Sequence, residues 1–184
     1  MRRELVERAM AGDHDAFSEL ARVSIGRLYA VARLILRDPH RAEDATQEAL
    51  VAAWRDLSAL RDPDRFDAWL RRLLIRACYR ESRQARRHPT IDVHVPSIEP
   101  VVTDGSATLA DRDEIERGFR RLDPEQRAVV VLHYYLGLAV PEVADALGIP
   151  VGTAKSRLHR ATRALRSALD ADARGPLPIE GWTA

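Results

Sequence analysis

Apolar side chains recur every three or four residues through most of the chain, the spacing of one face of an α-helix. In the stretch 15–35 the repeating positions include Phe17, Leu20, Leu28, Val31 and Ile35. In the stretch 66–86 they include Leu70, Leu73, Leu74, Ala77 and Cys78. No segment shows sustained alternation or enrichment in β-branched residues, so no sheet is expected. The pattern predicts an all-α fold.

Helix boundaries can be predicted from capping residues. A short first helix is expected over 4–11, and Asp15 is a plausible cap for the second. Asp38 followed by Pro39 predicts a helix start, because Asp is a favoured N-cap and Pro is favoured at the first helical position. That helix should run to about Leu57 and, after a break, another should span roughly 66–86.

The helical period is lost over residues 88–108, which contain three Pro and one Gly. A segment of this length is longer than an ordinary loop within a compact domain. We therefore expect two small helical domains, 1–87 and 109–170, joined by a flexible linker over 88–108 and followed by a loose tail over 171–184. Helices are expected from near Leu109 and after Asp123-Pro124.

Residues 141–166 have the outline of a helix-turn-helix. A short apolar helix meets Gly148, and a longer helix follows whose buried positions would be Ala154, Leu158, Ala161, Leu165 and Ala168. Its other face would present Thr153, Lys155, Ser156, Arg157, His159 and Arg160. An αα-hairpin in a bundle is the alternative, but Gly148 and the confinement of cations to one helix favour the DNA-binding motif. Ala139-Val140 supplies no side-chain cap, so a frayed start of the first helix is expected.

The net charge of +1 conceals an uneven distribution. Residues 71–87 hold seven Arg and one acid, and residues 155–166 hold five cations and no acid. Between them, residues 88–126 hold nine acids and four Arg. Two basic segments separated by an acidic one indicate two contacts with a polyanion, the alternative being two solvated helix faces.

Composition excludes several classes of protein. No apolar run is long enough for a transmembrane helix, and the N-terminus lacks the apolar core of a signal peptide, so a cytoplasmic protein is expected. Cys78 is the only cysteine, which rules out an internal disulfide. Neither a phosphate-binding loop, nor zinc-ligand spacing, nor a nucleophile motif is present, so we predict no enzyme activity, no cofactor and no metal site.

Two polar stripes in the first domain are candidate binding surfaces. In the helix after Pro39, one face carries Asp44, Gln47, Glu48, Val51 and Arg55, which form either a solvated face or a docking face for a basic partner. In the helix from Phe66, a cationic stripe comprises Arg72, Arg76, Arg80, Arg83 and Arg87. Cations with Phe66 and Trp69 nearby can grip phosphates and stack on unpaired bases, the alternative being that Trp69 is simply a core residue.

Together these segments resemble the two-domain extracytoplasmic-function (ECF) sigma factors of bacterial RNA polymerase, over nearly all of residues 5–170. Residues 41–57 are similar to the core-binding segment of sigma region 2, and residues 66–87 to the segment that handles the promoter −10 element. Residues 122–169 are similar to region 4, most specifically in the run GIPVGTAKSRLHRA. The family often has Asn and Asp where this chain has Arg76 and Arg80.

The resemblance implies a role for each candidate residue. Core RNA polymerase would bind Asp44, Gln47, Glu48 and Trp54. The −10 element would be contacted by Phe66, Trp69, Arg72, Arg76 and Arg80, with a flipped base captured by the loop 58–65. The −35 element would be read by Thr153, Lys155, Ser156, Arg157, His159 and Arg160. The implied partners are core RNA polymerase, promoter DNA and an anti-sigma factor.

A stand-alone helix-turn-helix regulator that binds DNA as a dimer is the alternative. It explains residues 122–169 but leaves the first domain without a role.

Overall fold

The computed structural model of the protein describes residues 2–87 and 109–173, without the side chains of 109–114 and 170–173. These residues form eight α-helices, and no strand occurs among them. The first four are α1 (Arg2–Met10), α2 (His14–Leu36), α3 (Pro39–Asp56) and α4 (Phe66–Arg87). The second four are α5 (Leu109–Arg120), α6 (Pro124–Val130), α7 (Val140–Leu147) and α8 (Val151–Ala173). The all-α prediction is confirmed, while the predicted linker and residues 174–184 lie outside the described residues.

Most helix starts follow the sequence signals. The Asp38 carboxylate accepts a hydrogen bond from the Arg41 backbone N–H at 3.0 Å. At α6, Asp123 and Gln126 each accept a hydrogen bond from the other's backbone N–H, which forms a capping box. The prediction for α2 was wrong by two residues, because Asp13, not Asp15, accepts the N–H groups of the first turn.

The first four helices pack around an alanine-rich face of α3. Ala42, Ala45, Ala49 and Ala53 are all at most 1% exposed, and small side chains let α2 and α4 approach α3 closely. From α4, Leu74 and Cys78 are completely buried against this face. Between α3 and α4 the chain makes two single turns of 3₁₀ helix, Leu57–Ala59 and Pro63–Arg65.

The last four helices include the predicted helix-turn-helix. Helix α7 ends at Gly148, whose φ of 65° lies in the left-handed region that glycine adopts without strain. The start of α7 lacks a side-chain cap from Ala139, but the Glu142 carboxylate accepts the Ala139 backbone N–H at 2.8 Å. Helix α8 continues to Ala173, beyond the end expected for the second domain. It packs against α5, α6 and α7.

The two halves are in contact. Helix α2 packs on α6 and helix α4 packs on α7, and buried side chains from both halves belong to one continuous apolar cluster. This juxtaposition has no counterpart in the sequence pattern, which predicts only the separate helices.

Candidate nucleic-acid and polymerase interfaces

Helices α2 and α3 form an apolar groove of about 840 Å³ on the first domain. Trp54 is 37% exposed on one wall, and its ring centroid lies 4.9 Å from that of Phe17 and 4.5 Å from that of His14. Gln47 and the exposed Val51 also line the groove. An open apolar surface of this kind is suited to a protein partner.

The structure divides the predicted core-binding residues between two faces of α3. Gln47 and Trp54 line the groove, whereas Asp44 and Glu48 are not part of its lining. Glu48 forms an ion pair with Arg80 of α4. Partial burial, followed by repulsion from Asp44 and Glu48, raises the pKa of the Glu81 carboxyl, so these three acids lie near one another.

The predicted −10 residues differ widely in exposure along α4. Phe66 is 3% exposed and therefore belongs to the core, with the Trp69 ring centroid 6.1 Å from its own. Arg72 pairs with Asp145 of α7 and Arg80 pairs with Glu48. Arg76, between them, is exposed.

The predicted −35 residues surround the first turns of α8. Four of them are exposed to solvent, namely Lys155, Ser156, His159 and Arg160. Thr153 is partly buried and its backbone carbonyl accepts a hydrogen bond from the Ser156 hydroxyl at 3.0 Å. The N-terminal half of α8 therefore presents a cationic, hydrogen-bonding surface of the type that enters a DNA major groove.

Arg157 is the exception on α8. Its side chain is 20% exposed and pairs with Glu125 of α6 at 3.4 Å. The guanidinium also lies close to the Tyr79 hydroxyl of α4, whose pKa burial raises to about 12 while the Arg157 charge lowers it. Arg157 is thus directed towards the first domain.

Three residues that matter for this arrangement escaped the sequence analysis, namely Arg37, Tyr79 and Asp145. Their partners lie far away in sequence, so no local pattern indicates them. Only Tyr79, placed within the cationic segment, gave a weak signal.

The described residues hold no group of three or more His, Cys, Asp or Glu that could bind a metal ion. None of the described helices has the length and apolar character needed to cross a membrane.

Family models match both halves of the chain. The model for sigma-70 region 2 matches residues 20–88, and the model for sigma-70 region 4 matches residues 112–165. The two regions occur in the order found in sigma factors, which does not favour the stand-alone regulator.

Characterised relatives span most of the chain. The ECF RNA polymerase sigma factor SigM of Mycobacterium tuberculosis is 35% identical over 158 residues, which cover 86% of this chain and 79% of SigM. The RNA polymerase sigma-E factor of Streptomyces coelicolor is 35% identical over 163 residues, which cover 86% of this chain and 90% of the sigma-E factor.

Solved structures agree in fold. CnrH, in complex with the cytosolic domain of CnrY, is 30% identical, with a TM-score of 0.66 over 93% of this chain and 98% of CnrH. The sigma factor RpoE from Bartonella quintana, in complex with the anti-sigma factor NepR, has a TM-score of 0.66 at 24% identity, over 85% of this chain and 98% of RpoE, and so supports the fold alone. The chain therefore belongs to the ECF group of the sigma-70 family, the promoter-specificity subunits of bacterial RNA polymerase.

Proposed function

We propose that three surfaces divide the work of this sigma factor. The groove between α2 and α3 binds core polymerase, the cationic side of α4 contacts the −10 element, and the start of α8 reads the −35 element. The observation that carries this division is that each matched region contributes one helix with exposed cations, represented by Arg76 in α4 and Lys155 in α8.

The polymerase surface is centred on Trp54. Large aromatic side chains in a partly open apolar groove are typical anchors of protein interfaces. Gln47 supplies polar contacts from the same groove, and Asp44 and Glu48 supply negative charge on the adjoining face. We infer that the partner is the clamp-helix surface of the largest polymerase subunit.

The two DNA surfaces bind different parts of the same promoter, the −35 duplex on α8 and the −10 strand on α4. On α8, Thr153, Ser156 and the cations around them face the major groove of the −35 duplex. On α4, Arg76 and its neighbours Arg72 and Arg80 contact phosphates of the −10 strand, with Trp69 next to them and Phe66 supporting Trp69 from the core.

Transcription with core polymerase tests this division. Holoenzyme made with Lys155→Ala should lose discrimination among −35 sequences only, by about 1–3 kcal/mol for a base contact. Arg76→Ala should lose promoter affinity through the −10 region, with a smaller salt slope if it contacts phosphate. Arg22→Ala is the matched control, because Arg22 is exposed and pairs with the nearby Glu19 of the same helix at 2.6 Å. Equal losses at both elements for both variants would sink the assignment.

We propose that this chain contributes promoter specificity, while core polymerase carries out catalysis. The proposal includes no enzymatic activity and no cofactor of its own, and it places the protein in the cytoplasm, where transcription occurs. Membership of the ECF family supports both statements.

An anti-sigma factor is the further partner that we propose. CnrH, which shares this fold at 30% identity, is bound to the cytosolic domain of another protein, CnrY. The apolar groove around Trp54 is a suitable surface, and a partner there would compete with core polymerase. Trp54→Ala should weaken binding of core polymerase by about 2 kcal/mol or more. Val23→Ala, which truncates an exposed apolar side chain outside the groove, should leave that affinity unchanged.

A further inference from the structure

Helix α8 begins with a solvent-exposed valine. Val151 is 49% exposed and is the first residue of the helix, and the Ala154 backbone N–H donates a hydrogen bond at 3.0 Å to the carbonyl of Pro150 just before it. Among the described exposed positions of α8, Val151 is the one large apolar side chain. The other exposed positions over 152–163 carry glycine or polar side chains.

Neither core packing nor helix formation accounts for a valine at this position. Val151 adds little to the core, because about half of its surface stays in contact with water. Valine also favours a helix less than alanine does, since its branched side chain loses rotamer freedom there. Proline and acidic residues are the ones that stabilise a first helical turn. Single exposed apolar residues are common on protein surfaces, so the position of Val151 carries the inference rather than its exposure alone.

Val151 lies on the same face of α8 as Lys155 and His159. The three residues are spaced four apart, so their side chains follow one another along a single row of the helix. All three are exposed, and Lys155 and His159 belong to the residues proposed to read the −35 element. Because the side chains of an α-helix lean towards its N-terminus, Val151 projects from the leading end of this row. That end of a recognition helix is the one whose residues contact base edges.

The neighbouring row of α8 leaves room beside Val151. Gly152, Ser156 and Arg160 follow one another at the same spacing and are also exposed. Gly152 has no side chain, and even an added methyl group there would meet no described atom within 4 Å. Ala154, in the same turn, is completely buried and faces the core. A base edge can therefore approach the methyl groups of Val151 without meeting the side chain of its neighbour.

The major groove of DNA presents one kind of apolar group. Base pairs show hydrogen-bond donors and acceptors there, and thymine adds a C5-methyl group. An apolar side chain on a recognition helix distinguishes bases by contact with that methyl group. Lys155 and Ser156 serve a different purpose, because an ammonium donates hydrogen bonds and a hydroxyl both donates and accepts them. Val151 thus supplies the chemistry that the polar residues of the −35 surface lack.

We propose that Val151 is a specificity-determining residue that packs against the C5-methyl group of a thymine in the −35 element. The proposal rests on the proposed function, because it requires α8 to lie in the major groove of that element. Val151 precedes Lys155 by one helical turn, about 6 Å along the axis, and base pairs are stacked about 3.4 Å apart. The thymine should therefore lie within about two base pairs of the base that Lys155 contacts.

Selection from a promoter library tests whether thymine is preferred. Holoenzyme binds fragments of a promoter that it transcribes, with the −35 element randomised, and the bound fragments are sequenced. Wild-type holoenzyme should enrich thymine, on either strand, at one position near the base read by Lys155. Val151→Ala should lose that enrichment and keep the other preferences. Val23→Ala is the matched control and should keep all of them, because Val23 is a 56% exposed valine of α2 that does not line the groove around Trp54.

Replacement of the selected thymine by uracil isolates the methyl group. Uracil lacks the C5-methyl group but keeps the base pairing and the O4 acceptor of thymine. Wild-type holoenzyme should bind the uracil promoter roughly fourfold more weakly, the effect of leaving one methyl group unburied. Val151→Ala should bind the two promoters equally, and Val23→Ala should show the wild-type difference. Val151→Ala should remain folded, because the valine is exposed and alanine favours a helix.

Lys155→Ala distinguishes a failure of this proposal from a failure of the proposed function. That variant should lose discrimination at its own base and keep the difference between thymine and uracil near Val151. Unchanged −35 discrimination in Lys155→Ala would overturn the proposed function and the role of Val151 with it. If Lys155→Ala behaves as expected, the role of Val151 alone is overturned by either of two results. One is a wild-type holoenzyme that enriches no thymine near that base, and the other is a Val151→Ala holoenzyme that still prefers thymine to uracil.

Discussion

The two cationic helices, α4 and α8, present their charges in different ways. Helix α4 is a core helix whose cations are partly neutralised, with Arg72 and Arg80 each paired to a carboxylate from another helix. Helix α8 buries mainly small side chains, and Lys155 and Arg160 near its start are exposed. The difference teaches that a cationic stripe in a sequence does not by itself tell whether its charges are available. Lys155 and Arg160 of α8 are available in this conformation, whereas on α4 the exposed Arg76 lies between the paired Arg72 and Arg80.

The largest expected effect comes from the core face of α4. Leu74 is completely buried, so Leu74→Ala should lower the free energy of unfolding by about 2–5 kcal/mol through lost burial and a cavity. Leu158→Ala on α8 should cost less, because Leu158 is only partly buried. Urea denaturation of both variants tests the contrast, and equal losses would contradict the distinction between a core helix and a surface helix.

Cys78 provides a chemical test of the same burial. Burial raises the pKa of the Cys78 thiol from 9.0 to about 12. At pH 8 the buried thiol therefore holds about a thousandfold less thiolate than an exposed cysteine, and it should react slowly with a thiol reagent. The protonated thiol is favoured in the folded state, so its stabilisation is complete below pH 9 and is lost as the pH rises from 9 towards 12. Labelling kinetics with Ser167→Cys as an exposed reference check this, and equal rates at the two positions would show that the α4 core is open.

The position of α8 depends on the turn before it. Gly148 has a φ of 65°, so Gly148→Ala should destabilise the protein by about 1 kcal/mol. Gly152→Ala, within α8 and with nothing close to the added methyl group, should instead stabilise by up to about 1 kcal/mol. Thermal denaturation of the two variants distinguishes a loss of stability caused by backbone conformation from one caused by steric crowding of the added methyl group. A loss of stability in both variants would point to packing rather than to the turn.

The smallest effect concerns Arg157, a cation of the −35 set that is paired with Glu125. Glu125→Gln should release Arg157 and strengthen −35 binding by the holoenzyme by about 0.2–1 kcal/mol, the range for exposed ion pairs. Glu19→Gln removes an acid that is likewise paired within its own half and should change nothing. A fluorescence assay measures the affinity of holoenzyme for −35 duplex DNA and compares the Glu125→Gln and Glu19→Gln variants. Weaker binding of Glu125→Gln would mean that Glu125 orients Arg157 rather than sequestering it.

The sequence predicted local structure well because its signals are local. Asp38-Pro39, Asp123-Pro124 and Gly148 mark element boundaries through contacts within a few residues, and the structure has boundaries at all three. Asp15 was wrong because Asp13 competes for the same N–H groups, and a single carboxylate two residues away is enough to shift the cap.

The candidate sites were less predictable, since their state depends on contacts between distant segments. Helical spacing correctly groups the cations of α4, but it carries no information about Asp145, which is 73 residues from Arg72. The burial of Phe66 and the division of the α3 residues between a groove and the α4 side likewise follow from packing. Which helices contact one another depends on the packing of the whole fold and is not indicated by the sequence of any single helix.

Site-specific crosslinking in the holoenzyme shows which promoter element lies against α4 and which lies against α8. A photoreactive amino acid replaces Arg76 on α4 or Lys155 on α8, and the crosslinked DNA positions are mapped on one promoter. We expect crosslinks near the −10 element from position 76 and near the −35 element from position 155. Crosslinks from both positions to the same element, or from neither to the promoter, would contradict it.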